Sequence, residues 1–329
     1  MITKDRILIF DGLNVFMRHY MAHPAMSDNG EQIGGIVGFY YNLVNLIEQC
    51  RPEAVVIVWE GGGSKRKRDL FKDYKKGSKP KKFNRYYDSE EIPDTNENRD
   101  SQLTILVRLL SSLPVCQIYI EDAEADDAIG YLTKYKLSKK NKVIVSGDHD
   151  YYQLIEKNCI IYSPNSKTFV DTEKVVEKYG VHPHNFCLAK AMVGDKSDNI
   201  PGVKGVGFKT LSKEFGDLFL KENFQSNTFQ LFVDNDVKHQ ENPKKKLYKS
   251  IKESEKIIER NLKLVRLDVD NLVLMQTKVI DTAIENFKPT WNNIKGNKIL
   301  NKQNIKNIDF LRHGRYFRSL TRGKIINEQ

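Results

Sequence analysis

The segment Ile7-Leu8-Ile9-Phe10-Asp11-Gly12 decides the fold prediction for this chain of 329 residues. Four consecutive apolar residues indicate a strand that is buried on both faces, as the strands of parallel sheets are. An acid and a glycine follow, so a carboxylate is expected at the carboxyl end of this strand. One such aspartate would most simply be a turn residue or a helix cap.

The same pattern recurs along the chain, which gives the aspartate a second interpretation. Three further apolar runs that end close to acids are predicted as strands, at residues 55–59, 117–120 and 142–145. Helical patterns alternate with them, over residues 36–47, residues 102–110 and from about residue 125 to residue 135. Alternating strands and helices indicate βαβ units, and therefore an α/β fold around a mostly parallel sheet.

The acids at the strand ends are predicted to converge on one place. Ligands of such sheets bind outside the carboxyl ends of the strands, and clustered carboxylates repel one another unless a cation lies between them. Oxygen ligands without histidine or cysteine favour Mg²⁺ or Mn²⁺, and so many acids favour two ions. The predicted metal ligands are Asp11, Glu60, Glu124, Asp126, Asp127, Asp148, Asp150, Asp195 and Asp198.

Composition narrows the class of partner. A formal charge of +10 favours a polyanion, DNA or RNA, over a membrane, although a merely soluble basic protein is the alternative. No apolar run approaches the ~20 residues of a membrane span. The four cysteines are scattered without a CxxC spacing, which argues against a zinc site and against a disulfide framework. Buried, reduced thiols in a cytoplasmic protein are expected.

A basic stretch interrupts the strand pattern between about residues 62 and 97. Its lysines and arginines alternate with aromatic residues, which suits a phosphate backbone and unstacked bases; a solvated loop is the alternative. Positive charge beside a scissile phosphate is predicted from Lys75 and from the cluster Arg66, Lys67 and Arg68. Tyr74 is predicted to stack on a terminal base, and Lys76 to contact the nucleic acid.

The run Gly194-Asp195-Lys196-Ser197-Asp198-Asn199-Ile200-Pro201-Gly202-Val203-Lys204-Gly205-Val206-Gly207 combines two features. Its first part offers carboxylates for a metal. Its glycines carry no side chain, so the backbone of this part could approach a phosphate closely. Beyond residue 210 the pattern weakens: helices are predicted at residues 218–232 and 250–267, and few elements at 268–329.

Four segments, at residues 9–14, 124–127, 146–150 and 194–207, resemble the flap endonuclease and 5′-nuclease superfamily. The chain is most similar in these segments to the 5′-nuclease domain of bacterial DNA polymerases and to the stand-alone phage 5′-exonucleases. The resemblance implies a PIN-like core at residues 1–184, with a helical arch at about 62–97. It also implies a helical DNA-binding region at residues 185–329 that contains a helix–hairpin–helix variant at about 185–215.

The resemblance also implies roles for individual residues. Lys75 matches the catalytic lysine, with Lys67, Arg68 and Tyr74 beside it. Two groups of acids match the two metal sites, the first being Asp11, Glu124, Asp126, Asp127 and Asp148, and the second Asp150, Asp195 and Asp198. The glycine turn would hold K⁺ and grip duplex DNA through Gly202, Lys204, Gly205, Gly207 and Lys209.

Two departures from the family pattern concern the same site. Glu60 stands where the family usually has aspartate, so the reach of this ligand differs. The arginine expected upstream of Lys75 has no clean match, and Lys67 is the nearest cation, flanked by Arg66 and Arg68.

The function implied by the resemblance is a free-standing, two-metal, structure-specific 5′-nuclease that removes RNA primers or 5′ flaps. Its substrates would be branched or 5′-ended DNA and RNA–DNA hybrids. A single-stranded-DNA-binding protein or a sliding clamp are the protein partners considered, with a monomer expected in the cytoplasm, the host's if the source is a phage. Two alternatives stay open: a catalytically silent DNA-structure binder of the same fold, and a PIN-type RNA endonuclease. Such RNA endonucleases are usually far shorter and lack the glycine hairpin.

Overall fold

The structure, a computed structural model, describes residues 6–77, 96–222 and 245–325. A six-stranded sheet lies at its centre, in the strand order β3-β2-β1-β4-β5-β6. All neighbouring strands are parallel except the last pair, β5 and β6. The strands are β1 (Arg6–Asp11), β2 (Ala54–Gly61), β3 (Cys116–Glu121), β4 (Asn141–Val145), β5 (Cys159–Ser163) and β6 (Thr168–Val170).

The four predicted strands are confirmed as β1 to β4. The terminal hairpin of β5 and β6 was not predicted, because Cys159–Ser163 is short and β6 has only three residues. Helices cover both faces of the sheet, so the predicted α/β class is confirmed. The helices before the glycine turn are α1 (Gly12–Ala22), α2 (Gly34–Cys50), α3 (Lys65–Leu70), α4 (Asn96–Leu110), α5 (Ala125–Tyr131), α6 (Thr172–Tyr179) and α7 (Pro183–Val193).

The alternating side chains of β1 feed two cores. Ile7 and Ile9 face the core formed with α5 and α7, whereas Leu8 and Phe10 face the core formed with α1, α2 and α4. All four side chains are fully buried, which accounts for a strand that is apolar on both faces. The sheet is therefore held rigidly between two layers of helices, with its carboxyl edge left free for ligands.

The chain beyond the glycine turn contains more helices than predicted. Its helices are α8 (Phe208–Phe219), α9 (Lys245–Glu253), α10 (Glu255–Val265), α11 (Leu274–Glu285), α12 (Asn293–Lys302) and α13 (Gly314–Leu320). The expectation of few elements after residue 268 was wrong, because a few apolar anchors per helix suffice. Examples are Ile280, Leu300 and Phe317, which are buried on otherwise polar helices.

Two other helix predictions need correction. The helix predicted at residues 218–232 begins earlier, since α8 already ends at Phe219; residues 223–232 lie outside the described part of the chain. The helix predicted at 250–267 is two helices, α9 and α10, interrupted at Ser254. Helix α1 was not predicted, because it follows β1 without any intervening loop.

The predicted arch is only partly described. Helix α3 and the turn up to Gly77 lie in its first part and α4 begins at its end, while residues 78–95 lie outside the described residues. All four cysteines are buried and unpaired, as predicted. Among the described helices, none has the length and apolar character needed to span a membrane.

Candidate metal centre and active site

A cleft of about 880 Å³ opens at the carboxyl ends of β1, β2 and β4. Each strand end delivers an acid, because the parallel strands finish at the same edge of the sheet. The charged and amide side chains that line the cleft are Asp11, Glu60, Glu124, Asp126, Asp148, Lys75, Asn14, Arg18 and Asn165. Five of the nine predicted metal ligands therefore share one cleft, as predicted from the strand ends.

Asp11 is held in place by three hydrogen bonds at the end of β1. The backbone N–H of Asn14 donates to Oδ1 at 3.2 Å, and the hydroxyls of Ser146 and Tyr151 donate to Oδ2 at 3.2 and 3.0 Å. Burial, and then the negative charge of Glu60, raise the pKa of Asp11 to about 7. The charged form of Asp11 is therefore disfavoured in the cleft, and a bound cation would favour it.

Glu60 reaches the same cleft although it is longer than the aspartate usual in the family. Its Oε2 accepts a hydrogen bond from the backbone N–H of Ala125 at 3.0 Å, at the amino-terminal end of α5. Burial raises the pKa of Glu60 above its ordinary value, despite that hydrogen bond. The extra methylene is therefore accommodated by anchoring the carboxylate to the first turn of α5.

A buried lysine lies among the three acids that begin α5. The Nζ of Lys67, which is 1% exposed, lies 2.6 Å from Glu124 Oε2, 3.3 Å from Asp126 Oδ1 and 3.1 Å from Asp127 Oδ2. Although burial opposes ionisation of Glu124, Lys67 and Lys75 together hold the pKa of this carboxyl at about 2. Lys67 was predicted from the sequence as a catalytic cation. In the structure it supplies positive charge inside this group of buried acids.

Asp127 departs from its predicted place in the cleft. It is fully buried, Nδ2 of Asn271 donates to its Oδ1 at 2.6 Å, and its other oxygen faces Lys67. It does not line the cleft. Its carboxylate oxygen does lie within 4.8 Å of the ligand atoms of Glu124 and Asp126, and the three acids share the ammonium of Lys67.

Lys75 is the lysine that faces the cleft. Its Nζ lies 2.6 Å from Glu124 Oε1 and 4.0 Å from Asp198 Oδ2, and the side chain is 44% exposed. Burial opposes the charged form, but the carboxylates of Glu124 and Asp126 raise the pKa of Lys75 above its ordinary value. Lys75 is thus a cation at neutral pH, at the boundary between the two groups of acids.

A second group of acids lies around the loop that follows α7. Single oxygens of Asp150, Asp195 and Asp198 all lie within 4.8 Å of one another. Nζ of Lys190 forms ion pairs with Asp150 and, at 2.8 Å, with Asp195. Burial raises the pKa of Asp198 to about 6, although Lys75, whose Nζ lies 4.0 Å away, opposes the rise. All three predicted members of the second metal group are therefore brought together.

Three predicted contacts are not made in the way that the sequence suggested. Tyr74 is 5% exposed and its hydroxyl donates to Glu124 at 2.8 Å, so its ring cannot stack on a base. Arg68 reaches the carbonyl of Gly63 rather than the acids. Arg66 donates to Asn271 Oδ1 at 2.8 Å and is used within the protein. Lys76, by contrast, is exposed and pairs only loosely with the neighbouring Asp73.

Several contributing residues were not found from the sequence. Lys190 could have been found from the sequence, because it is a single lysine in the mostly apolar helix α7, which precedes the loop with the acids. The cleft residues Asn14, Arg18 and Asn165 carry no such signal, since Arg18 joins Asn165 through a 2.8 Å hydrogen bond across 147 positions of sequence. Only the folded chain brings these side chains together.

Helices α7 and α8, with the glycine turn between them, match the predicted helix–hairpin–helix variant. The turn contains two kinds of glycine. A Cβ on Gly202 would lie 2.0 Å from the carbonyl oxygen of Val193, so this glycine allows the chain to pack on itself. This corrects the prediction that Gly202 leaves room for a phosphate. Gly205, with φ of 80°, and Gly207 face open space. Lys204 and Lys209 are exposed beside them.

We expect Gly202→Ala to destabilise the protein by about 1–3 kcal/mol, because the new methyl group meets rigid backbone. Gly207→Ala is the matched control in the same turn, and should cost at most about 1 kcal/mol since nothing lies within 4 Å of its Cβ. Urea unfolding followed by circular dichroism measures both. Equal stabilities of the two variants would show that Gly202 is not required for close packing.

We expect Lys67→Met to lower the free energy of unfolding by about 3–5 kcal/mol, because it leaves buried carboxylates without their cation. Lys65→Met, on the exposed face of the same helix, should change it by less than about 0.5 kcal/mol. Chemical denaturation of the metal-free proteins measures the difference. A Lys67→Met variant as stable as the wild type would mean that these acids need no internal cation.

Comparison with known proteins identifies the family. A family model described as "5′-3′ exonuclease, N-terminal resolvase-like domain" matches residues 6–180. The chain belongs to this 5′-3′ exonuclease family. A 5′-3′ exonuclease of Aquifex aeolicus is 31% identical over 226 residues, which are 67% of this chain and 72% of that protein. The family assigns the chain to the nucleases, enzymes that hydrolyse phosphodiester bonds.

Longer relatives contain the same region within a larger protein. A DNA polymerase I of Caldicellulosiruptor bescii is 33% identical over 216 residues, which cover 63% of this chain but only 24% of the polymerase. The chain thus spans about a quarter of the length of this relative. The comparison supports the predicted resemblance to bacterial DNA polymerases.

Two solved structures have a fold similar to that of this chain. The T5 5′-exonuclease with bound zinc ions has a TM-score of 0.67 at 20% identity, covering 86% of this chain and 98% of that one. A bacteriophage T5 flap endonuclease complex with DNA and metal ions has a TM-score of 0.63 at 20% identity, covering 94% and 99%. At this level of identity the likeness establishes the fold, including the helical carboxyl-terminal region.

Proposed function

We propose that the chain is a Mg²⁺-dependent, structure-specific 5′-nuclease that acts on branched or 5′-ended DNA and on RNA–DNA hybrids. One observation carries the proposal: acids from separate strand ends meet a lysine in one cleft, in a chain of the 5′-3′ exonuclease family. The T5 flap endonuclease, which shares the fold, is described in a complex with DNA and metal ions, and this supports DNA as the substrate.

The donor set fits hard divalent cations. The acids supply only oxygen ligands, which Mg²⁺ and Mn²⁺ prefer. Burial, reinforced by neighbouring carboxylates, raises the pKa of Asp11 and of Asp198, so a bound cation would favour their charged forms. The first ion would be held by Asp11, Glu60, Glu124, Asp126 and Asp148, and the second by Asp150, Asp195 and Asp198. When bound, such a pair activates water and stabilises the leaving oxygen of a phosphodiester.

The lysines of the chain perform different tasks in this proposal. Lys75, half-exposed in the cleft, contacts the scissile phosphate and stabilises the charge that develops on it in the transition state. Lys67 and Lys190 are buried or nearly so. Their positive charges offset the repulsion between carboxylates that lie close together. Arg18 lines the cleft as a further cation and would contact a neighbouring phosphate.

The glycine turn provides a second point of contact with the nucleic acid. The open backbone at Gly205 and Gly207 and the exposed Lys204 and Lys209 suit the phosphates of a duplex. We propose that this turn grips duplex DNA and that it would hold a K⁺ ion, whose charge would favour the phosphates. Because the turn continues directly from Asp195 and Asp198, it would fix the duplex relative to the site of cleavage.

A substrate panel tests the proposed function. End-labelled 5′-flap DNA, plain duplex DNA and single-stranded RNA are each incubated with the protein, with and without Mg²⁺. The proposal predicts Mg²⁺-dependent cleavage of the flap substrate near its junction. Absence of cleavage on all three substrates would favour a DNA-structure binder, and cleavage of RNA alone would favour a PIN-type RNA endonuclease. Repeating the flap reaction in K⁺ and in Na⁺ tests the K⁺ site.

A further inference from the structure

The turn that carries Lys75 is fastened to the loop that carries two of the acids. Nδ2 of Asn199 donates to the carbonyl of Asp73 at 3.2 Å and to the carbonyl of Lys76 at 2.5 Å. The backbone N–H of Lys75 itself donates to the carbonyl of Asp198 at 3.0 Å. Three hydrogen bonds therefore join a turn and a loop that lie more than 120 residues apart in sequence.

Lys75 depends on this support because of its backbone conformation. Its φ is 54°, in the left-handed region that residues other than glycine rarely adopt. Such a conformation is strained and persists only where the surroundings hold it. Within the Asp73–Lys76 turn, the carbonyls on both sides of Lys75 are the ones that Asn199 binds.

The loop that carries Asn199 is itself held in a fixed conformation. The backbones of Asp195 and Ile200 exchange two hydrogen bonds, of 2.8 and 2.7 Å, which close the loop at its base. Ile200 is 4% exposed and anchors the loop in the core. Asn199 has φ of 59°, a conformation in which asparagine is one of the few tolerated side chains. The amide is thereby aimed at the Asp73–Lys76 turn rather than at the acids.

We infer that Asn199 is a positioning residue that holds the ammonium of Lys75 at the boundary between the two groups of acids. The inference rests on the proposed function, since it assumes that Lys75 acts on the scissile phosphate. Asn199 lies in the glycine-rich run, but no role for it was predicted from the sequence. Its amide binds the turn of the catalytic lysine, so its effect on the reaction passes through Lys75.

The variant Asn199→Gly separates the amide from the backbone. Glycine adopts a positive φ without strain, so the loop keeps its conformation while the two hydrogen bonds to the Lys75 turn are lost. We expect kcat on 5′-flap DNA to fall by about 10- to 100-fold, because a small misplacement of a catalytic group has effects of this size. KM and the Mg²⁺ dependence should stay within about twofold of wild type. Asn304→Gly, at another left-handed asparagine (φ 49°), is the matched control and should leave kcat unchanged.

A double-mutant cycle with Lys75→Ala decides whether the effect passes through Lys75. In the Lys75→Ala background, Asn199→Gly should cause no further loss of kcat. The same fold-loss in both backgrounds would overturn the inference, because Asn199 would then act through the acids or through general stability.

Hydrogen–deuterium exchange of the metal-free protein gives a readout that needs no activity. The peptide that spans residues 71–77 should exchange faster in Asn199→Gly than in wild type and in Asn304→Gly. Unchanged exchange would overturn the inference. A wild-type protein that cuts no flap DNA would refute the proposed function, and with it the catalytic part of the inference. Normal cleavage with an additive cycle would refute the inference alone.

Discussion

Lys75→Ala should reduce kcat on 5′-flap DNA by about 10²–10³-fold, the loss that follows removal of one group that stabilises transition-state charge. Among the residues that the structure describes, Lys75 is the only lysine that lines the cleft, and its Nζ lies 2.6 Å from Glu124. The two buried lysines cannot replace it, since their charges are already paired with acids. Single-turnover cleavage at saturating enzyme measures the chemical step directly.

The same variant should change DNA affinity little, because one phosphate contact among many contributes a small share of binding. Fluorescence anisotropy of labelled flap DNA, at a fixed salt concentration and without divalent ion, measures this. Lys72→Ala, an exposed lysine of the same segment, is the control and should keep kcat within about twofold. Normal turnover by Lys75→Ala would refute its catalytic assignment.

Asp148→Asn should abolish most cleavage, by at least about 10²-fold, because it removes one negative ligand from the cleft while keeping the shape of the side chain. Asp148 also caps the short helix that follows β4, where its Oδ1 accepts the backbone N–H of Asp150 at 2.9 Å. Asparagine caps helices about as well as aspartate, so the fold should be retained.

Asp309→Asn is the matched control for that experiment. Asp309 likewise accepts a backbone N–H, from Arg312 at 3.0 Å, but does not line the cleft. Cleavage rates and thermal unfolding of both variants separate chemistry from stability. If Asp148→Asn cut at the wild-type rate, the carboxyl ends of the strands would not form the metal centre.

The fold and the set of acids were predictable because each follows from local sequence. Apolar runs such as Ile7 to Phe10 define buried strands, and parallel strands must finish at one edge, so Asp11 and Asp148 had to meet. The hairpin of β5 and β6 was missed since its strands are short. The helices after residue 268 were missed because their polar faces conceal a few buried anchors.

The neutralisation of the acids could not be predicted from local sequence. Lys67 appeared in a run of basic residues, and nothing in that run shows which cation enters the core. Tyr74 and Asp127 were given functional positions, but tertiary packing buries both. Asn199 contacts a turn 123 residues away from its own position. Such roles depend on contacts between distant segments, which no local pattern encodes.

We propose above that the acids of the cleft hold divalent metal for the cleavage of 5′-ended DNA. The most direct test of this claim is single-turnover cleavage of 5′-flap DNA by the wild type and by Asp11→Asn, with Mg²⁺ and with EDTA. We predict cleavage near the flap junction only by the wild type and only with Mg²⁺, while both proteins bind the substrate. Cleavage by the wild type in EDTA, or undiminished cleavage by Asp11→Asn, would contradict the claim.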